Sequence, residues 1–354
     1  MSKVHNYSAG PCILPQDVFT EAAKAVTDFN GIGLSILEIS HRSKDFVAVM
    51  DEAITLVKEL LNVPEGYTVL FLQGGASLGF LMSAYNMMPE GGKGAYVETG
   101  TWAKKAVKEA KLLGNVEVIA SSADKNFNYI PKGYTIPSDA DFLHLTSNNT
   151  IFGTQMKDFP KSDIPVVCDM SSDIFSRSVN VADFDIIYAG AQKNLGPAGA
   201  TLYIVKDEVL GRVKRSIPSM LDLKVHAEKD SMFNTPPVYP IYVAMLNLRY
   251  MIKEGGLEAQ QKKAEERAAL LYNEIDSNPL FEGTTAVEDR SNMNATFVLT
   301  DESKKDQFDE MWQAANINGL KGHRSVGGYR ASMYNALPIE SVQVLVDVMK
   351  KLNS

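Results

Sequence analysis

A chain of 354 residues exceeds the usual reach of a single core, so one large domain and one smaller one are expected. With 45% hydrophobic and 22% charged residues it is neither disordered nor fibrous, and a net charge of -8, from 35 basic and 43 acidic residues, weighs against a nucleic-acid surface. The first residues carry no apolar signal segment, no apolar run reaches membrane-spanning length, and Cys12 and Cys168 make no disulfide framework, so a cytoplasmic protein is expected.

Gly10-Pro11 and Pro15 keep the first fifteen residues irregular, and a helix is predicted from Gln16 to Asn30, ended by Asn30-Gly31. Ser40-His41-Arg42 falls in a loop. The spacing of Val49, Ala53, Leu56, Val57 and Leu60 predicts a helix from Phe46 to Leu61. A strand at Thr68–Leu72 then runs into Gln73-Gly74-Gly75-Ala76-Ser77 and an apolar helix toward Met88. A glycine-rich turn between strand and helix offers backbone N–H groups and the positive helix end to a phosphate. It matches neither G-x-G-x-x-G nor G-x-x-x-x-G-K-[ST], which disfavours a dinucleotide or a P-loop nucleotide.

Strands are read at Gly94–Val97, Val116–Ile119, Phe142–Leu145, Pro165–Cys168 and Phe184–Tyr188, with Ala200–Val205 as an edge return and a helix from Trp102 to Leu113. Short Val/Ile/Leu-rich strands joined by helices give an α/β class with a mostly parallel sheet covered on both faces. Ligands collect at the carboxyl ends of such strands, so Ser77 with its glycines, Trp102, Thr150, Asp169 and Lys193 are expected to converge. Residues 208–239 read as irregular and end in Asn234-Thr235-Pro236-Pro237. Helices at Ile241–Glu254 and Leu257–Ile275, a strand at Ala295–Leu299, a helix at Lys304–Asn316, a loop rich in glycine and arginine, and a helix at Ile339–Lys351 follow. This gives a large domain over 16–255 and a smaller α+β domain over 1–15 and 256–354, hinged near Gly255-Gly256.

Lys193 lies in Ala189-Gly190-Ala191-Gln192-Lys193-Asn194-Leu195-Gly196-Pro197, directly after a strand. A lysine fixed in a tight Gly/Pro loop at a strand end is a candidate amine nucleophile of the kind that forms a Schiff base with a carbonyl cofactor; otherwise it is a surface turn. Asp169 ends the strand before it. If the cofactor is pyridoxal phosphate, a buried aspartate keeps the ring nitrogen protonated; the alternative is an Asp opening a turn. Trp102 either stacks on a ring or packs the rim, and Thr150 either donates to a phenolic oxygen or caps a turn. His144 sits inside an apolar alternation as a core residue. His323, Arg324 and Arg330, on a glycine-flexed loop of an acidic chain, suggest a seat for a doubly anionic substrate, with His41-Arg42 as a second such pair.

Taken together, Asn6-Tyr7-Ser8-Ala9-Gly10-Pro11, Ser40-His41-Arg42-Ser43, Asp169-Met170-Ser171-Ser172, Ala191-Gln192-Lys193-Asn194, Asn234-Thr235-Pro236-Pro237 and Gly322-His323-Arg324-Ser325-Val326-Gly327-Gly328 resemble the phosphoserine aminotransferases. These belong to the class V branch of the fold-type I pyridoxal-phosphate enzymes, and the likeness runs nearly end to end. It implies a seven-stranded sheet and a cytoplasmic homodimer with shared active sites. Pyridoxal 5'-phosphate would be bound covalently to Lys193, which also moves the proton at the substrate Cα. Asp169 would face the pyridine nitrogen, Thr150 the phenolic oxygen, and Trp102 the ring. Ala76, Ser77 and Gln192, with Asn234 and Thr235 of the other subunit, would hold the cofactor phosphate. Arg330 would bind the α-carboxylate, with His323, Arg324 and the other subunit's His41 and Arg42 around the substrate's distal anion. No metal is implied. Ser77 departs from members that carry an arginine there, which shifts anion selectivity onto the His-Arg pairs. The reaction implied is amino transfer from L-glutamate to 3-phosphooxypyruvate. A vitamin B6 intermediate is a second possible substrate. An alanine-glyoxylate or serine-pyruvate activity would need fewer anion-binding residues, and a cysteine desulfurase would need a reactive cysteine.

Overall fold

The structure is a computed structural model and describes residues 3–353. Seven strands form the central sheet: β1 (Tyr67–Leu72), β2 (Lys93–Glu98), β3 (Asn115–Ser121), β4 (Phe142–Thr146), β5 (Val166–Asp169), β6 (Ile186–Gly190) and β7 (Thr201–Lys206). Their order is β1-β7-β6-β5-β4-β2-β3, with β7 antiparallel to both neighbours and every other pairing parallel. The last strand is therefore not the edge return expected from its sequence. It is inserted between β1 and β6, and its first five residues are buried. Periodicity within a strand reports burial and not position in the sheet, so this insertion could not be read from the residues.

Nine α-helices lie in the described chain: α1 (Gln16–Thr27), α2 (Lys44–Leu61), α3 (Gly75–Met87), α4 (Thr101–Ala110), α5 (Leu223–Ala227), α6 (Val238–Lys253), α7 (Gly256–Ser277), α8 (Lys305–Ala314) and α9 (Ile339–Asn353). Alternate side chains of each strand feed two cores. Val69 and Phe71 of β1, Leu143 and Leu145 of β4 and Ile187 and Ala189 of β6 meet the apolar faces of α1, α2 and α6. Leu70, Leu72, Phe142, Ile186 and Tyr188 meet α3, α4 and α5 on the other side. Each such leucine, isoleucine or phenylalanine contributes about 1.5–3 kcal/mol by leaving water. A sheet buried on both faces has only its strand ends open to a ligand.

Local rules explain the helix boundaries that differ from the sequence reading. The Ser43 hydroxyl accepts from the Phe46 backbone N–H at 3.4 Å, which starts α2 at Lys44; such a cap stabilises by about 1 kcal/mol. α6 begins at Val238 rather than Ile241 because Pro240 falls in the first turn, where a missing N–H has no intrahelical partner to lose. The stretch 208–239 is not wholly irregular: Asp222 caps α5 by accepting from Lys224 N at 2.9 Å.

A further hydrophobic core is built from Tyr7, α7, α8, α9 and an antiparallel sheet of β8 (Phe281–Gly283), β9 (Asn294–Leu299) and β10 (Tyr329–Ser332). Residues 5–6 pair in parallel with residues 317–318, which ties the N-terminus to this core. Gly255 and Gly256, with φ of 98° and 68°, turn the chain between α6 and α7, a conformation that favours glycine. Among the described residues no helix is long and apolar enough to cross a membrane.

Candidate active site

The carboxyl ends of the parallel strands and the inner edge of the α7–α9 core enclose a cavity of about 480 Å³. Ala76, Ser77, Trp102, Thr150, Asp169, Gln192, Lys193, His323 and Arg330 all line it. Each arrives by its own element. Gly74 and Gly75, with φ of 99° and 62°, turn the chain from β1 into α3. A Cβ on Gly74 would stand 2.5 Å from Leu78, so this turn admits no side chain. The first residues of α3 thereby offer free N–H groups and the positive end of a 13-residue helix to the cavity. Trp102 stands in the first turn of α4, its indole Nε1 buried without a partner.

Asp169 is the last residue of β5 and is 5% exposed. Its Oδ1 accepts from the Ser171 N–H at 2.9 Å and from the Ser171 hydroxyl at 2.6 Å, while that hydroxyl accepts from the Gly190 N–H at 3.0 Å. The end of β6 thus orients the carboxylate through Ser171. Burial pushes the Asp169 carboxyl up, against the hydrogen bonds from Ser171 and the charge of Lys193. A carboxylate held dry with no cation bonded to it is prepared for a cationic partner.

Lys193 follows β6, and its Nζ donates to Thr150 Oγ1 at 3.0 Å. Burial lowers its pKa, opposed chiefly by the negative charge of Asp169. The loop is anchored from three sides. Cys12 Sγ donates to the Lys193 carbonyl at 2.9 Å, Asn194 Nδ2 to the Ile174 carbonyl at 3.0 Å, and Asn247 Nδ2 to the Asn194 and Leu195 carbonyls at 2.9 Å each. Burial pushes the Cys12 thiol up to about 12 and the Cys168 thiol well above its ordinary value, so neither offers the thiolate a desulfurase requires.

The opposite wall comes from the second core. Arg330 lies on β10, opposite Thr296 of β9, and not on the glycine-rich loop where its sequence neighbours suggested. Its Nε is buried without a partner, it makes no ion pair among the described residues, and burial lowers its pKa. His323 is on the loop itself, with Nδ1 2.6 Å from the Ser325 hydroxyl. Its pKa is lowered by burial and then by the charges of Arg330, Arg324 and Lys105.

Five candidates do not line the cavity in this chain. Arg324 is exposed on the loop, and His41 and Arg42 lie between α1 and α2. Asn234 and Thr235 sit against Gln73, whose Nε2 donates to the Thr235 carbonyl at 2.7 Å. Sequence reasoning gave no role to Ser171, Asn148, Ser172, Ala9 or Gly10, all but Gly10 and Ala9 polar and all at the cavity. Ser171 was legible as an Asx turn two residues beyond Asp169. Asn148 was not, because its Nδ2 bonds to Asn294 Oδ1 at 2.8 Å and that partner is 146 positions away.

A buried lysine amine over a dry carboxylate, a helix N-terminus at one end and an unpaired arginine at the other fit pyridoxal phosphate with an anionic substrate. The fold and site define a fold-type I pyridoxal-phosphate enzyme. The "Aminotransferase class-V" family matches residues 4–345. The phosphoserine aminotransferase of Flavobacterium psychrophilum is 64% identical over 353 residues, 99% of each chain, and that of Bacteroides fragilis 57% over 351 residues, 99% of this chain and 98% of the relative. The solved phosphoserine aminotransferase from Bacillus circulans subsp. alkalophilus superposes with a TM-score of 0.96 at 42% identity, covering 99% of this chain and 98% of that one. A second, a PLP-bound phosphoserine aminotransferase from Trichomonas vaginalis, superposes with a TM-score of 0.93 at 35% identity, covering 98% and 100%. The chain belongs to the phosphoserine aminotransferases of the class-V aminotransferase family.

Proposed function

We propose that this chain transfers the amino group of L-glutamate to 3-phosphooxypyruvate, giving 2-oxoglutarate and O-phospho-L-serine, as a step of L-serine biosynthesis, with pyridoxal 5'-phosphate held covalently by Lys193. The observation that carries the reading is the buried Lys193 amine, 3.0 Å from Thr150 and in the field of Asp169, at the floor of a cavity walled by Arg330. When bound, pyridoxal phosphate supplies the electron sink for the carbanion formed at the substrate Cα.

The chain's own groups do the rest. Asp169, its carboxylate fixed by Ser171, would hold the proton of the pyridine nitrogen. Thr150 would donate to the phenolic oxygen, and the Trp102 indole would stack on the ring. The N–H groups at Ala76 and Ser77, with Gln192, bind the cofactor phosphate at the positive end of α3. Once freed by substrate, the Lys193 Nζ takes the proton from Cα and returns it to the acceptor carbon. Burial lowers its pKa, which shifts the amine toward the basic form this requires. Arg330 grips the α-carboxylate, and His323 and Arg324 receive either the phosphate or the γ-carboxylate. The phosphorylated hydroxythreonine of vitamin B6 synthesis offers the same two anions and is a second candidate substrate.

The reading includes a homodimer with shared sites. Ile32, Leu34 and Leu37 are exposed in the segment that leads to His41-Arg42, and Phe233, next to Asn234 in sequence, is exposed as well. A second copy covering these apolar side chains would bring His41, Arg42, Asn234 and Thr235 to its neighbour's cavity, which supports their roles at the substrate anion and the cofactor phosphate. Residues 16–255 form the cofactor domain and 1–15 with 256–354 the domain that carries Arg330, with Gly255-Gly256 between them.

The test is the visible absorbance of the cofactor-loaded protein. The band should convert on adding L-glutamate and return on adding 3-phosphooxypyruvate, but far less well with pyruvate or glyoxylate. In Lys193→Ala the cofactor should bind without covalent attachment and turnover should vanish. A band indifferent to glutamate, or steady-state turnover retained without Lys193, would refute the assignment.

A further inference from the structure

Lys105 stands one helical turn after Trp102 on α4 and is exposed. Side chains on a helix lean toward its N-terminus, and Lys105 does so: its ammonium lies 4.5 Å from the centroid of the Trp102 ring. Trp102 and His323 line the same cavity, from opposite cores. The Lys105 charge is felt at His323 together with those of Arg324 and Arg330. Among the described residues Lys105 forms no ion pair, although Glu109 lies one turn further along its helix. A chain of net charge -8 therefore places an uncompensated cation at the rim where His323 and Arg324 already stand.

We propose that Lys105 is a specificity-determining residue, a rim cation that selects the phosphate-bearing substrate over the one whose distal group is a carboxylate. This rests on the function proposed above. The physical reason is charge number. A phosphate monoester carries roughly twice the charge of a carboxylate at neutral pH, so one fixed cation discriminates between them even where contact with both is equal. Ala76 and Ser77 are taken up by the cofactor phosphate in that reading, so discrimination between the substrates' distal anions falls to the side chains at the rim. The indole fixes the ammonium in place: the cation–π contact restricts a long, exposed side chain without neutralising it.

The experiment is steady-state kinetics of the holoenzyme with each substrate varied separately, at low and raised ionic strength, for wild type, Lys105→Gln, Lys105→Met and Lys105→Arg. In the Gln and Met variants KM for 3-phosphooxypyruvate should rise about fivefold and KM for glutamate by less than about twofold, as expected for loss of one partly screened charge. Their kcat should be unchanged, and kcat/KM for the phosphorylated substrate should lose part of its salt dependence. Lys105→Arg should restore both. Methionine keeps an apolar stem against the indole, so a defect in Gln that Met repairs would mean packing on Trp102 and would overturn the proposal. So would equal changes for the two substrates, or none. A wild-type enzyme with no turnover of 3-phosphooxypyruvate would instead defeat the underlying function, before any variant is compared.

Discussion

The backbone of Gly10 lies directly against the side chain of Lys193, although 183 positions separate them in sequence. A Cβ at Gly10 would stand 3.3 Å from Lys193 Cγ and 3.4 Å from the Gln192 carbonyl, and the φ of 129° is one that other residues rarely adopt. The N-terminal segment is thus part of the wall that orients the lysine.

Gly10→Ala should therefore act at the site as well as strain the backbone locally. Pushing the lysine stem aside by a fraction of an ångström is expected to lower kcat by about tenfold to 100-fold. Far-UV circular dichroism should stay unchanged while the cofactor's visible band shifts. Wild-type kcat in a folded Gly10→Ala protein would show that Lys193 tolerates the displacement.

Asp169→Asn keeps the oxygen that accepts from Ser171 but removes the charge. The single-turnover rate of Cα deprotonation should fall by about 10²–10³, the usual effect of removing one preorganised electrostatic contact. Stability of the cofactor-free protein should respond in the other sense. The folded Asp169 carboxyl lies above its ordinary 3.8, so between 3.8 and its folded value the native state holds a proton the unfolded chain has released. Stability contributed by this group declines as pH rises through that window. Without cofactor, Asp169→Asn should lose that decline and melt no lower than wild type above it, as read by calorimetry across pH.

His144 gives a pH effect of opposite sign. Its ring is fully buried on β4, with Nε2 2.8 Å from the Tyr188 hydroxyl, and burial lowers its pKa to about 3. Between about 3 and 6.5 the unfolded chain binds a proton that the native state refuses, so stability falls as pH drops through this range. At about 1.4 kcal/mol per pH unit this one side chain amounts to a few kcal/mol. The difference in unfolding free energy between His144→Gln and wild type should move in the variant's favour as pH is lowered from 6.5 to 4. A pH-independent difference would mean that His144 is protonated in the fold.

If sites are shared between subunits, an Arg42→Ala protein and a Lys193→Ala protein should rescue each other. After random subunit exchange half the dimers are hybrids, and each has one site with both groups intact, so activity should recover to about a quarter of wild type. No recovery after exchange verified by mass-tagged subunits would place Arg42 and Lys193 in the same chain's site or Arg42 in none.

Local chemistry determined a good deal. The alternation of apolar strands with helices, the Gly-Gly turn into α3, and polar residues at strand ends all follow from spacing, because a strand buried on both faces must be apolar throughout and must deliver its polar residue at the tip. Asp169 after Val166-Val167-Cys168 and Lys193 after Gly190 are legible on that ground alone. Tertiary structure alone decided the rest. It put β7 inside the sheet and Arg330 on β10. It set Gly10 against Lys193 and hung Asn148 on Asn294. Each of these joins segments whose separation leaves no local periodicity to report the contact; they exist only because burying the two faces of one sheet and the α7–α9 core leaves a single arrangement of their edges.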